Sequence, residues 1–255
     1  MSFTRRRSPR VNLRWSLWVG AWNVLSLRED DHPFLLSSEL LHLNITIVTT
    51  EVQRPDCGEI MVGGYTYYWS GRSDGYHAQV VAVAVSNKLT PMIIEVTPVN
   101  ERIMSLRIRH FLGVISLVSV YAPTEASDLT VKDAFYATLE SVVDQCPRRD
   151  PLLVLEDFNA STGTDRDGYE TCVGPYGSGT VNHNSTKFLN FARSHGLRVA
   201  GSLFQWPHAH RWTWYSNANG VTKEIDHVLI AGLVILMLVV WQMRLTMCSL
   251  MVPGG

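Results

Sequence analysis

Of the 255 residues, 46% are hydrophobic and 18% charged, enough apolar sequence for one large core, which excludes wholesale disorder, collagen-like repeats and coiled coil. Lys and Arg number 22 against 23 Asp and Glu, so no bulk basic excess marks a nucleic-acid binder, and any phosphate chemistry must come from particular side chains. Cys57, Cys146, Cys172 and Cys248 form no CxxC pair, which argues against a disulfide scaffold or zinc ribbon and for a reducing, intracellular compartment, nucleus or cytoplasm.

In chain order, residues 1–14 carry Arg5, Arg6, Arg7, Arg10 and Arg14 without an acid and read as a basic flexible arm able to touch phosphate backbones. The apolar stretch from Ser16 to Leu27 is broken by Gly20 and Asn23 and lacks a small-residue cleavage pattern, so Leu17 to Trp22 reads as a strand and not a secretory signal. A helix is expected from Phe34 to Leu43. Val/Ile-rich strands follow at Ile45 to Thr49, Val80 to Val85, Met92 to Val96, Ile103 to Arg109, Val114 to Tyr121, Leu152 to Leu155, Arg211 to Tyr215 and Glu224 to Ile230. Met104, Leu106 and Ile108 alternate with Ser105, Arg107 and Arg109, as in a strand with one buried face. Thr130 with Asp133 resembles a capping box ahead of a stripe of Phe135, Leu139, Val142, Val143 and Cys146, stopped by Pro147. A third helix is expected from Ser185 to His195, with Gly196 as its left-handed cap. Many strands and few helices predict two packed sheets with helices outside.

Four polar clusters sit at expected strand ends: Asn23, Glu51, the Asp157-Phe158-Asn159 triplet and Asp226, with Tyr121 ending the strand before the long helix. Alone, a carboxylate at a strand end is an ordinary solvated residue or an Asx turn. Asp157 and Asn159, two apart, can point the same way, one to take a proton from water and one to hold a phosphoryl oxygen. Tyr65, Tyr67, Tyr68 and Trp69 suit either base stacking or core packing. His208 and His210 have no nearby carboxylate or cysteine and read as a polar loop. Gly174 to Gly179 lacks the Lys-Ser/Thr ending of a nucleotide loop, and no Gly-x-Ser-x-Gly elbow occurs.

Taken together, Trp22-Asn23-Val24, Glu51, Tyr121-Ala122-Pro123-Thr124, Asp157-Phe158-Asn159-Ala160, Gly177-Ser178-Gly179-Thr180-Val181-Asn182, Trp212-Thr213-Trp214 and Ile225-Asp226 resemble the endonuclease/exonuclease/phosphatase family, within it the craniofacial development protein 2-like and retroelement endonuclease group. Their order and spacing cover residues 16 to 230. The resemblance implies a four-layered α/β sandwich and Mg²⁺-dependent phosphodiester hydrolysis, with DNA or RNA as partner and Mn²⁺ as an alternative ion. It implies Glu51 as the principal metal ligand with Asn23 beside it, Asp157 as the residue acting on water, and Asn159 and Tyr121 on the phosphate. Asp226 would orient a catalytic histidine.

The sequence departs from that pattern twice. After Ile230 it contains no Asp, Glu or His, so the family-type last strand with its Ser-Asp-His motif is not present, and His227 as strand neighbour of Asp226 should face the opposite side. Glu156 stands where the family usually has glycine, adding negative charge beside Asp157. The expected organisation is therefore a basic arm (1–14), a sandwich domain (15–230) and a divergent apolar tail (231–255), with attenuated or absent turnover. A non-catalytic nucleic-acid-binding or interaction module is the alternative. Val228 to Met243 is uncharged, so residues 228–251 also admit a single-pass membrane tether, although a core strand followed by a tail is the commoner origin of such a run.

Overall fold

Alternation along the strands sorts the apolar side chains into three separate layers, and this dictates the architecture. The computed structural model describes residues 17–22, 32–72, 74, 80–110, 113–207, 211–215 and 220–231. The basic arm, Asn23, His208, His210 and residues 232–255 lie outside them.

The elements are β1 (Val19–Ala21), α1 (His32–His42), β2 (Ile47–Val52), β3 (Cys57–Val62), β4 (Tyr65–Ser70), β5 (Val80–Ser86), β6 (Ile93–Asn100), β7 (Ile103–His110), β8 (Gly113–Tyr121), α2 (Leu129–Gln145), β9 (Leu152–Asp157), α3 (His183–Ser194), β10 (Arg198–Val199), β11 (Trp214–Tyr215), β12 (Thr222–Lys223) and β13 (Asp226–Ala231). One sheet runs β1-β2-β5-β4-β3 and the other β10-β13-β9-β8-β7-β6, while β11 and β12 form a small hairpin. Both large sheets mix parallel and antiparallel pairs.

Between the sheets lie Ile47, Val81, Val83, Met104, Leu106, Ile108, Leu117, Leu153 and Leu155. The outer face of the first sheet buries Leu36 and Leu40 of α1 against Val48, Tyr65 and Tyr67. The outer face of the second buries Phe135 and Leu139 of α2 and Phe188 and Phe191 of α3 against Val118, Val120 and Val154. The result is helix, sheet, sheet, helices, the expected four-layered sandwich. Along β7 the predicted alternation holds: Met104, Leu106 and Ile108 point between the sheets, and Arg107 turns out to pair with Asp150 at 2.7 Å. Pro98 lies in the edge strand β6, where its missing N–H is tolerated and the register shifts.

The helices start earlier than the sequence signals suggest. α2 begins at Leu129 after Asp128, so Thr130 is inside the helix, and Asp133 pairs with Lys187 of α3 instead of closing a capping box. α3 begins at His183 because the Asn182 side chain accepts the Ser185 N–H, and Gly196 takes the left-handed conformation at φ 63° that its position calls for. Strands β3 and β4 are absent from the sequence reading. Tyr65 and Tyr67 are buried in β4, and the Tyr67 hydroxyl bonds Ser37 and the Pro33 carbonyl, so these two rings pack the core and do not stack on bases.

No helix among the described residues is long and apolar enough to cross a membrane. Val228, Leu229 and Ile230, which open the apolar run, are buried in β13 as a core strand. Phe188 is fully buried, 4.7 Å from the Phe158 ring and stacked on His227 at 4.9 Å. Phe188→Ala should therefore lose about 3–5 kcal/mol of stability, measured by urea denaturation.

Candidate active site

The strand registers bring the expected residues to one end of the second sheet. β8 and β9 are parallel with Tyr121 beside Asp157, and β9 and β13 are antiparallel with Asp157 opposite Asp226. Neighbours in register project to the same face, and by alternation from Leu153 and Leu155 that face looks toward the first sheet. On β2 the alternation from Ile47 through Thr49 sends Glu51 toward the same layer. Of the six residues singled out in the sequence, Tyr121, Asp157, Asn159, Asp226 and Glu51 come together; Asn23 lies outside the described residues.

Burial raises all three carboxyls, and the charge of Asp226 adds to the rise at Glu51 and Asp157. Burial, then the charge of Asp226, pushes the Glu51 carboxyl up to about 8, against a smaller opposing pull from the Arg102 guanidinium. Asp226 is pushed up to about 7, again by burial first, with Thr213 bonding its carboxylate and holding it down. Asp157, 6% exposed, is raised by burial, Asp226 and Glu51 and lowered by the Asn159 N–H, which donates to its Oδ1 at 2.6 Å. Asn159 makes this turn with φ 47°, a left-handed conformation that asparagine tolerates. Its Nδ2 donates to the Ala122 carbonyl at 2.9 Å, and its side chain also bonds the Tyr121 hydroxyl. Burial and the charges of Glu51 and Asp157 push that phenol up to about 12, so Tyr121 keeps its proton and can donate it.

Sequence reasoning missed two residues here. Arg102, in the β6–β7 turn, donates from Nη1 to the Tyr121 carbonyl at 3.3 Å and lies 5.4 Å over the Tyr121 ring. Its proximity depends on strand pairing, so no local pattern signals it. Thr213 accepts the N–H groups of Ile225 and Asp226 at 3.0 Å each, holding the start of β13. Its place in Trp212-Thr213-Trp214, one of the motifs of the resemblance, was the available hint. The adjoining hairpin exposes Trp214 and Tyr215, with Lys223 over the Trp214 ring at 5.3 Å.

His227 faces away from Asp226, as strand alternation requires: it is 2% exposed, its Nε2 bonds the Ala160 carbonyl at 2.8 Å, and burial lowers its pKa. Glu156 is the exception to alternation. With φ 117° it occupies a region that side-chain-bearing residues rarely adopt. The Ser119 hydroxyl donates to its Oε2 at 3.3 Å, while Oε1 is buried without a hydrogen-bond partner. Burial, Glu51 and Asp226 all raise its pKa.

The donors are hard oxygens, and Glu51 Oε1 is likewise buried without a hydrogen-bond partner, so Glu51 fits a divalent cation that retains waters. No three His, Cys, Asp or Glu side chains among the described residues enclose an ion by themselves.

The raised carboxyls give stability a sign with pH. Glu51 and Asp226 move up from ordinary values of 4.5 and 3.8 and hold protons better folded than unfolded. Their contribution is complete below pH about 4 and disappears as pH rises through about 7 to 8. Melting temperature in EDTA should fall across that window, and Glu51→Gln should flatten the fall. Glu156→Gly should raise stability by about 1–3 kcal/mol by releasing the positive φ, read by chemical denaturation.

No protein-family model matches the chain. Craniofacial development protein 2 of Tragulus javanicus is 26% identical over 212 residues, and that of Bos taurus 25%, each match covering 83% of this chain. The chain spans about a third of these curated relatives, 36% and 35% of their lengths. Among solved structures, the endonuclease domain of TRAS1, a telomere-specific non-LTR retrotransposon, superposes with a TM-score of 0.56 at 14% identity, covering 82% of both chains. AP endonuclease LMAP from Leishmania major gives 0.61 at 11%, covering 83% of this chain and 78% of its own. An endonuclease/exonuclease/phosphatase family protein from Leptotrichia buccalis gives 0.56 at 13%, covering 84% and 87%. The chain has the endonuclease/exonuclease/phosphatase fold and, in sequence, resembles craniofacial development protein 2.

Proposed function

We propose that this chain is a divalent-cation-dependent phosphodiesterase-type domain acting on nucleic acid, with slow turnover. The observation that carries the assignment is the row Tyr121, Asp157 and Asp226 on adjacent strands, with Glu51 looking toward it from the other sheet.

Glu51 would hold Mg²⁺, or Mn²⁺ in its place, which when bound supplies charge neutralisation at a phosphoryl oxygen. Asp157 takes the proton of the attacking water, and the neighbouring charges of Asp226 and Glu51 raise its proton affinity and so make it a stronger base. The Asn159 amide, fixed by the Ala122 carbonyl, and the protonated Tyr121 hydroxyl donate to phosphoryl oxygens. Arg102 adds a cation beside Tyr121. Trp214, Tyr215 and Lys223 offer bases a stacking surface and the backbone a positive charge next to Thr213. Slow turnover follows from His227 being turned into the core and from the additional carboxylate of Glu156.

Incubation with Mg²⁺ or Mn²⁺ and a DNA or RNA oligonucleotide should give slow endonucleolytic cleavage. Glu51→Gln and Asp157→Ala should each reduce it by about 100-fold or more. Cleavage that persists in EDTA or in both variants would defeat the assignment. Salt-dependent binding without cleavage would favour the non-catalytic module, for which the exposed aromatic hairpin is the supporting feature.

A further inference from the structure

We propose that Glu156 shares the cation of this site with Glu51, so that two carboxylates from facing sheets hold it. The inference rests on the reading of the site as a divalent-cation site. Strand alternation would send the side chain at 156 outward with that of Val154, which packs in the α2/α3 layer. The positive φ of Glu156 instead brings its carboxylate to Ser119 and Thr49. Ser119 follows the alternation of Leu117 toward the first sheet, and Thr49 follows that of Ile47 toward the second. Thr49 is two residues before Glu51, on the same face of β2. Glu156 therefore stands between the sheets on the side from which Glu51 projects, 1% exposed, with the Ser119 hydroxyl donating to its Oε2.

Two further observations point to a ligand. Glu156 Oε1 and Glu51 Oε1 are both buried without a hydrogen-bond partner, and the charge of Glu51 acts on Glu156. Two like-charged groups left this way want a cation between or beside them. All donors are oxygens, as Mg²⁺ and Mn²⁺ require, and retained waters complete a shell that protein carboxylates alone do not enclose.

The test is Mn²⁺ titration of the full chain, with free Mn²⁺ followed by electron paramagnetic resonance and the cation-induced rise in melting temperature as a second readout. Circular dichroism checks that each variant is folded. Glu156→Gln should weaken Mn²⁺ binding by about tenfold and shrink the rise, while Glu51→Gln should remove both. Should Glu156→Gln not fold, Glu156→Gly, which suits the local φ, should show the same weakening. Binding to a folded Glu156 variant as tight as to the unaltered chain would overturn the inference and leave the Glu51 site standing. No Mn²⁺ binding by the unaltered chain would overturn both.

Discussion

The mutual repulsion of carboxylates gathered between two sheets is the constraint on which the site depends. Asp157 and Asp226 lie directly opposite on adjacent strands, a pairing that destabilises a sheet when both residues carry charge. Glu51 and Glu156 add to the same field. A fold selected for stability alone would place apolar residues at these positions, as it does one step earlier at Leu155 and Val228. Burial first raises the proton affinity of all four, and for Glu51, Asp157 and Glu156 the neighbouring carboxylates add to it.

The surrounding scaffold is built to withstand that conflict. The β9–β13 ladder runs from Asp157–Asp226 to Leu152–Ala231 without a register shift, so packing along the apolar length of both strands fixes the acidic ends. At the ends, specific donors restrain each group: the Asn159 N–H on Asp157, Thr213 on Asp226, and the Ser119 hydroxyl on Glu156. The segments that carry these donors are tied in turn. Arg211 forms a buried pair with Glu224 at 2.9 Å, and Ser178 bonds the same carboxylate, which joins three segments around the start of β13. A charge pair so buried adds little net stability, but removing one partner leaves the other unpaired, so its effect here is to fix geometry.

The sequence made the layers legible because each depends on local alternation. Met104, Leu106 and Ile108, or Phe188, Phe191 and Ala192, report their buried faces through spacing alone. The edges of elements were less legible. Thr130 and Asp133 match a capping pattern, yet the helix starts at Leu129, and Asp133 is drawn to Lys187 by the packing of α2 on α3. Strands β3 and β4 were hidden because Tyr65, Tyr67 and Trp69 fit more than one role until burial assigns them. Tyr121, Asp157 and Asp226 were singled out through motif order, which stands in for the strand pairing that joins them. Arg102 belongs to no such motif, and only the β6–β7–β8 ladder brings it to Tyr121.

Residues 156 and 227 are paired across β9 and β13, and together they show where alternation is decisive and where it fails. At His227 the backbone obeys the pleat, and the imidazole goes to Phe158, Phe188 and the Ala160 carbonyl. No adjustment of its rotamer could carry it through the sheet to the carboxylates. At Glu156 a single positive φ reverses the direction of one side chain without breaking the ladder, because Asp157 and Leu155 on either side keep their partners. A glycine there would take the same backbone conformation without adding a carboxylate to Glu51, Asp157 and Asp226. Glutamate at this position therefore adds a buried carboxylate between the sheets while the strand path stays the same.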